Sequence, residues 1–168
     1  MSQSMPPAVY AADTPLRDLG TAELLLTVTM RLFAANWSAQ GGSRPDWRGG
    51  LVRCGAGDEA MAAFDGVFSV VLAASRRPLD LRCATCPTLS PDEGRLLQIV
   101  SLFQHQRPDD AVRVLGRWLT PAAQRLGAAP AEALGRALTR VGLVVPWRHA
   151  EAAASSARAG SRGLMLVH

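Results

Sequence analysis

Ser90-Pro91-Asp92-Glu93 is the strongest local constraint on how this chain folds. A cap serine accepts from the amide three residues on, and a glutamate there reaches back to the serine amide. Proline suits the first helical position, whose N–H has no partner in any case. These four residues predict a helix from residue 91 to about Gln106, with Leu96, Leu97, Val100 and Phe103 on its core face. They also oblige the chain just upstream to be non-helical, because a cap residue takes extended backbone. Upstream lies Cys83-Ala84-Thr85-Cys86-Pro87, so the chain's one closely spaced cysteine pair is expected in a turn.

Other starts and stops divide the rest. From Ala22 to about Trp37 the order Leu26, Val28, Met30, Leu32 against Thr27, Thr29, Arg31 alternates as a strand would. Its length and Leu/Ala content favour a buried helix, which is the expectation here. Ser38 to Gly57, rich in Gly, Ser, Pro and Arg, reads as a loop carrying Trp47 and Cys54. Asp58 is expected to cap a helix whose buried face is Met61, Phe64, Val67, Phe68, Val71 and Leu72. Pro108 starts a helix, Thr120-Pro121 starts a short one stopped by Gly127, and Pro130 starts another that runs to Gly142. Leu79 to Cys83 and Leu143 to Val145 read as short strands. The expected fold is mainly α: a single-domain bundle over residues 14–148, with five or six helices and two short strands near 79–83 and 143–145. Residues 1–13 are expected as a flexible leader and 149–168 as a flexible Ala/Ser/Arg tail.

Composition then limits function. A 168-residue chain that is 48% apolar and 19% charged is long enough for one real core. Three cysteines are too few for a disulfide scaffold, and the first residues show neither a basic nor an apolar signal region. A cytoplasmic, reducing setting with no membrane span is therefore expected. All 18 basic residues are arginine, as in proteins of GC-rich bacteria, so every mechanism needing a lysine Schiff base or a phosphate-loop lysine is excluded. Residues 1–89 balance eight arginines with eight acids, whereas residues 111–168 set eight arginines against Glu132 and Glu151. A basic C-terminal third fits an acidic partner protein or nucleic acid.

The cysteines carry the sharpest chemistry. Cys83 and Cys86 have the spacing of half a tetrahedral zinc site; Cys54 and His105, with His149 or His168 as poorer substitutes, would complete it. The same pair reads as a thiol redox couple, and Cys86-Pro87 is a dipeptide through which some sensors ligate heme. Hydrolytic chemistry has little support: no serine motif accompanies the three histidines, and Asp58/Glu59, Asp92/Glu93 and Asp109/Asp110 all sit at helix starts, where capping explains them. Leu89-Ser-Pro-Asp-Glu with Leu96-Leu97, and Ala137 to Val144 ending in Gly-Leu-Val, resemble the start and finish of a bacterial winged-helix domain. That resemblance covers about 55 residues and implies DNA contacts by Arg136 and Arg140 on the 130–142 helix. It departs from the pattern in the extra 121–127 helix and the missing second wing strand. The expected function is a non-catalytic bacterial interaction or regulatory module, with a protein partner or a second copy of itself. Its cysteine knuckle, with or without a zinc ion at Cys54, Cys83, Cys86 and His105, is expected to fix the 83–90 turn. Trp47 and Trp147 are its candidate contact residues. A DNA-binding regulator and a thiol redox protein are the alternatives.

Overall fold

The computed structural model describes residues 6–39 and 44–148. Six α-helices follow in order: α1 (Thr21–Ser38), α2 (Arg48–Arg53), α3 (Asp58–Ala74), α4 (Pro91–Gln104), α5 (Pro108–Leu115) and α6 (Pro121–Arg140). They close around one apolar core. α4 lies at its centre, touching α1, α5 and α6, and every residue from Leu96 to Phe103 is buried. The capping box forms as the sequence predicts: Glu93 N–H donates to Ser90 Oγ at 3.1 Å, and Ser90 N–H to Glu93 Oε2 at 2.9 Å. Such a cap is worth about 1 kcal/mol.

The ambiguous segment is the helix α1, with Leu26, Met30 and Phe33 buried. The expected 38–57 loop holds α2, because Asp46 Oδ1 accepts from the amides of Arg48 at 3.0 Å and Gly49 at 3.2 Å. Asp58 is the first helical residue of α3, and Gly57 is its cap.

The two helices expected at 121–127 and 130–142 are one continuous helix, α6, with Pro130 inside it. Pro130 removes one intrahelical hydrogen bond, a cost of about 3 kcal/mol in an isolated helix. Packing offsets it. α6 runs along α3 in the longest seam of the molecule, and a Cβ at Gly66 would stand 3.1 Å from Pro130 Cβ. The proline ring thus fills the space left by a glycine on the facing helix. α6 stops as the sequence predicts: Gly142 is left-handed at φ 76°, and the Leu143 amide returns to Leu138 O at 2.9 Å.

Neither expected strand forms, and among the described residues there is no sheet, only an isolated bridge between Pro15 and Thr88. The reason is local and the same at both places: side chains of α4 and its cap residue take up the backbone groups a neighbouring strand would have paired. At 79–83, Asp80 N–H donates to Asp92 Oδ2 at 2.9 Å, Arg82 N–H to Glu93 Oε1 at 3.0 Å, and Ser90 Oγ to Asp80 O. At 143–145, Gln104 Nε2 donates to Leu143 O at 2.9 Å while its Oε1 accepts from Val145 N–H at 2.8 Å. Extended backbone without a ladder is satisfied by one helix.

Within the expected leader, the chain from Pro6 onward bonds to α4. Arg95 donates to Pro6 O at 2.7 Å and Gln98 to Pro7 O at 2.9 Å, and Tyr10 is buried. The expected 149–168 tail, with His149 and His168, lies outside the described residues.

Candidate functional site

α1 and the start of α4 build a frame for the cysteine turn. Arg31 and Glu93, 62 residues apart, form an ion pair whose side chains are both fully buried. Arg31 Nε donates to Glu93 Oε1 at 2.8 Å and its Nη2 to Oε2 at 2.9 Å. The same guanidinium donates onward at 2.7 Å to Cys86 O and at 2.7 Å to Thr88 O. Glu93 meanwhile holds the amide of Arg82, so one ion pair grips the chain on both sides of Cys83-Ala84-Thr85-Cys86. The edge beyond is tied by Leu16 N–H to Pro87 O and Leu89 N–H to Thr14 O, each 2.8 Å. Capping alone therefore does not account for Asp92 and Glu93. Asp92 also accepts two bonds from Arg77 at 2.7 Å and one from Trp118 Nε1 at 3.3 Å.

On this frame the two thiols meet. The turn closes with Cys86 N–H donating to Cys83 O at 3.1 Å, and the sulfurs stand 2.8 Å apart. Cys83 is exposed and Cys86 half-buried. The hydrogen bond between them divides their acidities. Cys86 and then Thr85, whose Oγ1 is 3.5 Å away, pull the Cys83 thiol down to about 7; the same bond and then burial push Cys86 up. The more acidic thiol thus sits beside one whose proton is held more tightly.

The other expected zinc ligands are not gathered here. Cys54 is exposed at the end of α2, where its amide donates to Gly50 O at 3.2 Å. His105 is exposed at the end of α4, its Nδ1 2.8 Å from Ser101 O and its ring 5.3 Å from that of Trp147. Among the described residues no three of His, Cys, Asp and Glu come together as a metal would require. Arg136 pairs with Glu132 at 2.6 Å and Arg140 with Glu59, so both candidate DNA contacts are engaged by carboxylates. Trp47 is a core residue, packed edge-on to Phe33 at 5.1 Å and stacked on Phe64 at 5.3 Å. Trp147 stays partly exposed.

The gripping ion pair was not readable from sequence, although Arg31 gave a hint: a charged residue inside an otherwise apolar helix needs a buried partner. No helix among the described residues is long and apolar enough to cross a membrane. Comparison of the chain with models of protein families, with the curated proteins and with solved structures finds no match.

Proposed function

We propose that this protein is a regulatory thiol module whose signal is the redox state of Cys83 and Cys86. The observation that carries the reading is the pair of sulfurs 2.8 Å apart on an accessible turn, one thiol acidic and one not. A disulfide needs about 2.05 Å between sulfurs, so closing the pair is a small movement. The partner chemistry is a protein or low-molecular-weight disulfide. The Cys83 thiolate attacks one of its sulfurs, and the other leaves as a thiolate that takes up a proton. Cys86 then gives up its proton and attacks Cys83 Sγ, releasing the second partner sulfur as a thiol. The module is oxidised by two electrons and the partner disulfide becomes two thiols. The Cys86 carbonyl that bonds Arg31 is the natural route by which closure reaches the core.

The test is equilibration with glutathione buffers followed by thiol alkylation and mass measurement. The expected result is a reversible Cys83–Cys86 disulfide. Cys86→Ser is expected to trap glutathione on Cys83, and Cys83→Ser to trap much less. A pair that remains dithiol under excess glutathione disulfide overturns the reading. Alkylation of Cys83 is expected to reach half its maximal rate near pH 7.

A further inference from the structure

Away from the cysteines, residues 8–10 meet the start of α4 and the turn after α5 around a cavity of about 200 Å³. That is smaller than the roughly 300–1,000 Å³ of pockets for drug-sized ligands, so its occupant is small. Val9, Tyr10, Pro91 and Gly94 form apolar walls, and the charged side chains among the described residues lining it are Arg95 and Arg117. Tyr10 packs close because residue 94 is glycine: a Cβ there would stand 3.1 Å from Tyr10 Cβ.

Among the described residues neither guanidinium is paired with a carboxylate. Arg95 is half-buried, and its Nη1 donates to two neutral oxygens, Pro6 O at 2.7 Å and Gln98 Oε1 at 3.0 Å. Its Nε and Nη2 meet no acceptor among the described residues. Arg117 is exposed and forms no ion pair with a described residue. Asp92, the acid that acts on Arg95, is already held by two bonds from Arg77, by the Asp80 amide and by Trp118. Burial and then the Arg117 charge hold the Arg95 guanidinium below its ordinary range, and Asp92 offsets them only in part. Arginine does not shed its proton in a protein, so the cavity carries two like charges.

We propose that this cavity binds a phosphate group, as inorganic phosphate or a small phosphate ester. Two guanidiniums can each fork an edge of a tetrahedral oxyanion, whereas a carboxylate offers one such edge. The bound anion relieves the repulsion between Arg95 and Arg117, and the apolar wall of Val9 and Tyr10 suits the organic part of an ester. Because Arg95 also holds Pro6, an occupied site fastens the start of the described chain onto α4.

The test titrates inorganic phosphate and phenyl phosphate into the full chain at constant ionic strength, read by calorimetry and by amide NMR shifts. At least one is expected to bind with a Kd tighter than about 1 mM, with the largest amide shifts at Val9, Gly94 and Arg95. Arg117→Gln breaks no bond within the described residues and is expected to weaken binding about ten-fold, the loss of one charge-assisted hydrogen bond. Arg125, exposed on α6, is the control, and Arg125→Gln is expected to leave affinity unchanged. Tighter binding of phenyl phosphate assigns the site to esters; equal or weaker binding assigns it to the free ion. A Kd weaker than about 1 mM for both probes overturns the proposal. So does an affinity that Arg117→Gln leaves unchanged or that Arg125→Gln reduces equally, and so do amide shifts centred elsewhere.

Discussion

At the residue scale the molecule turns on Arg31. Its guanidinium is fully buried and holds Glu93, Cys86 O and Thr88 O together. Removing one member of a buried pair leaves the other charged and desolvated, which costs about 3–5 kcal/mol. Arg31→Leu is therefore expected to lower unfolding free energy by roughly 3 kcal/mol, measured by urea titration. It is also expected to make the cysteine turn more susceptible to proteolysis than the rest of the chain, because two of its carbonyls lose their donor. A variant as stable as the parent would show that the ion pair does not hold the frame. Glu93 explains why: its two oxygens serve Arg31, the Arg82 amide and the Ser90 amide at once, so cap, turn and core share one carboxylate.

At the element scale the seam between α3 and α6 is the clearest place for a prediction. Gly66 leaves room for Pro130, and the tolerance of a proline inside α6 depends on that fit. Gly66→Leu would drive a side chain into the ring and is expected to cost about 2 kcal/mol, the range for overpacked sites, by thermal or urea unfolding. A loss no larger than a surface substitution, about 0.5 kcal/mol, would contradict this packing. The same seam shows what sequence can and cannot reveal. Helix starts at Ser90-Pro91, Pro108 and Thr120-Pro121 were legible because capping is settled within four residues. The continuity of α6 was not, since it depends on a glycine 64 positions before the proline. The missing strands at 79–83 and 143–145 follow the same rule. Their extended pattern was legible, but whether a strand or a side chain such as Gln104 satisfies it is decided by the folded neighbourhood. In the candidate site, likewise, the Cys83–Cys86 pair was visible from spacing, and the Arg31–Glu93 grip was not.

At the scale of the whole molecule, two carboxylates tie distant parts of the chain together and make its stability depend on pH. Burial pushes Glu23 up, but hydrogen bonds from Arg148, Tyr10 and the Gly20 amide outweigh it and hold its carboxyl below the usual range. Burial likewise pushes Asp92 up, and Arg77, the Asp80 amide and Trp118 together bring it below the ordinary value. Both groups bind protons more weakly folded than unfolded. Their contribution is thus complete above the unfolded values, about 3.9 for Asp and 4.3 for Glu, and is lost as pH falls through the lower folded values. The cations opposite them do not titrate in this range. Arg148 and Arg77 are partly exposed, so each pair is screened and is expected to contribute only about 1 kcal/mol. Unfolding free energy measured from pH 7 down to pH 2 is expected to hold level to about pH 4.5 and then decline. In Arg148→Gln and Arg77→Gln the loss between neutral and acid pH is expected to shrink, because each variant is already weakened at pH 7 and its carboxylate returns toward the unfolded value. An acid slope unchanged in both variants would mean that these pairs do not set it.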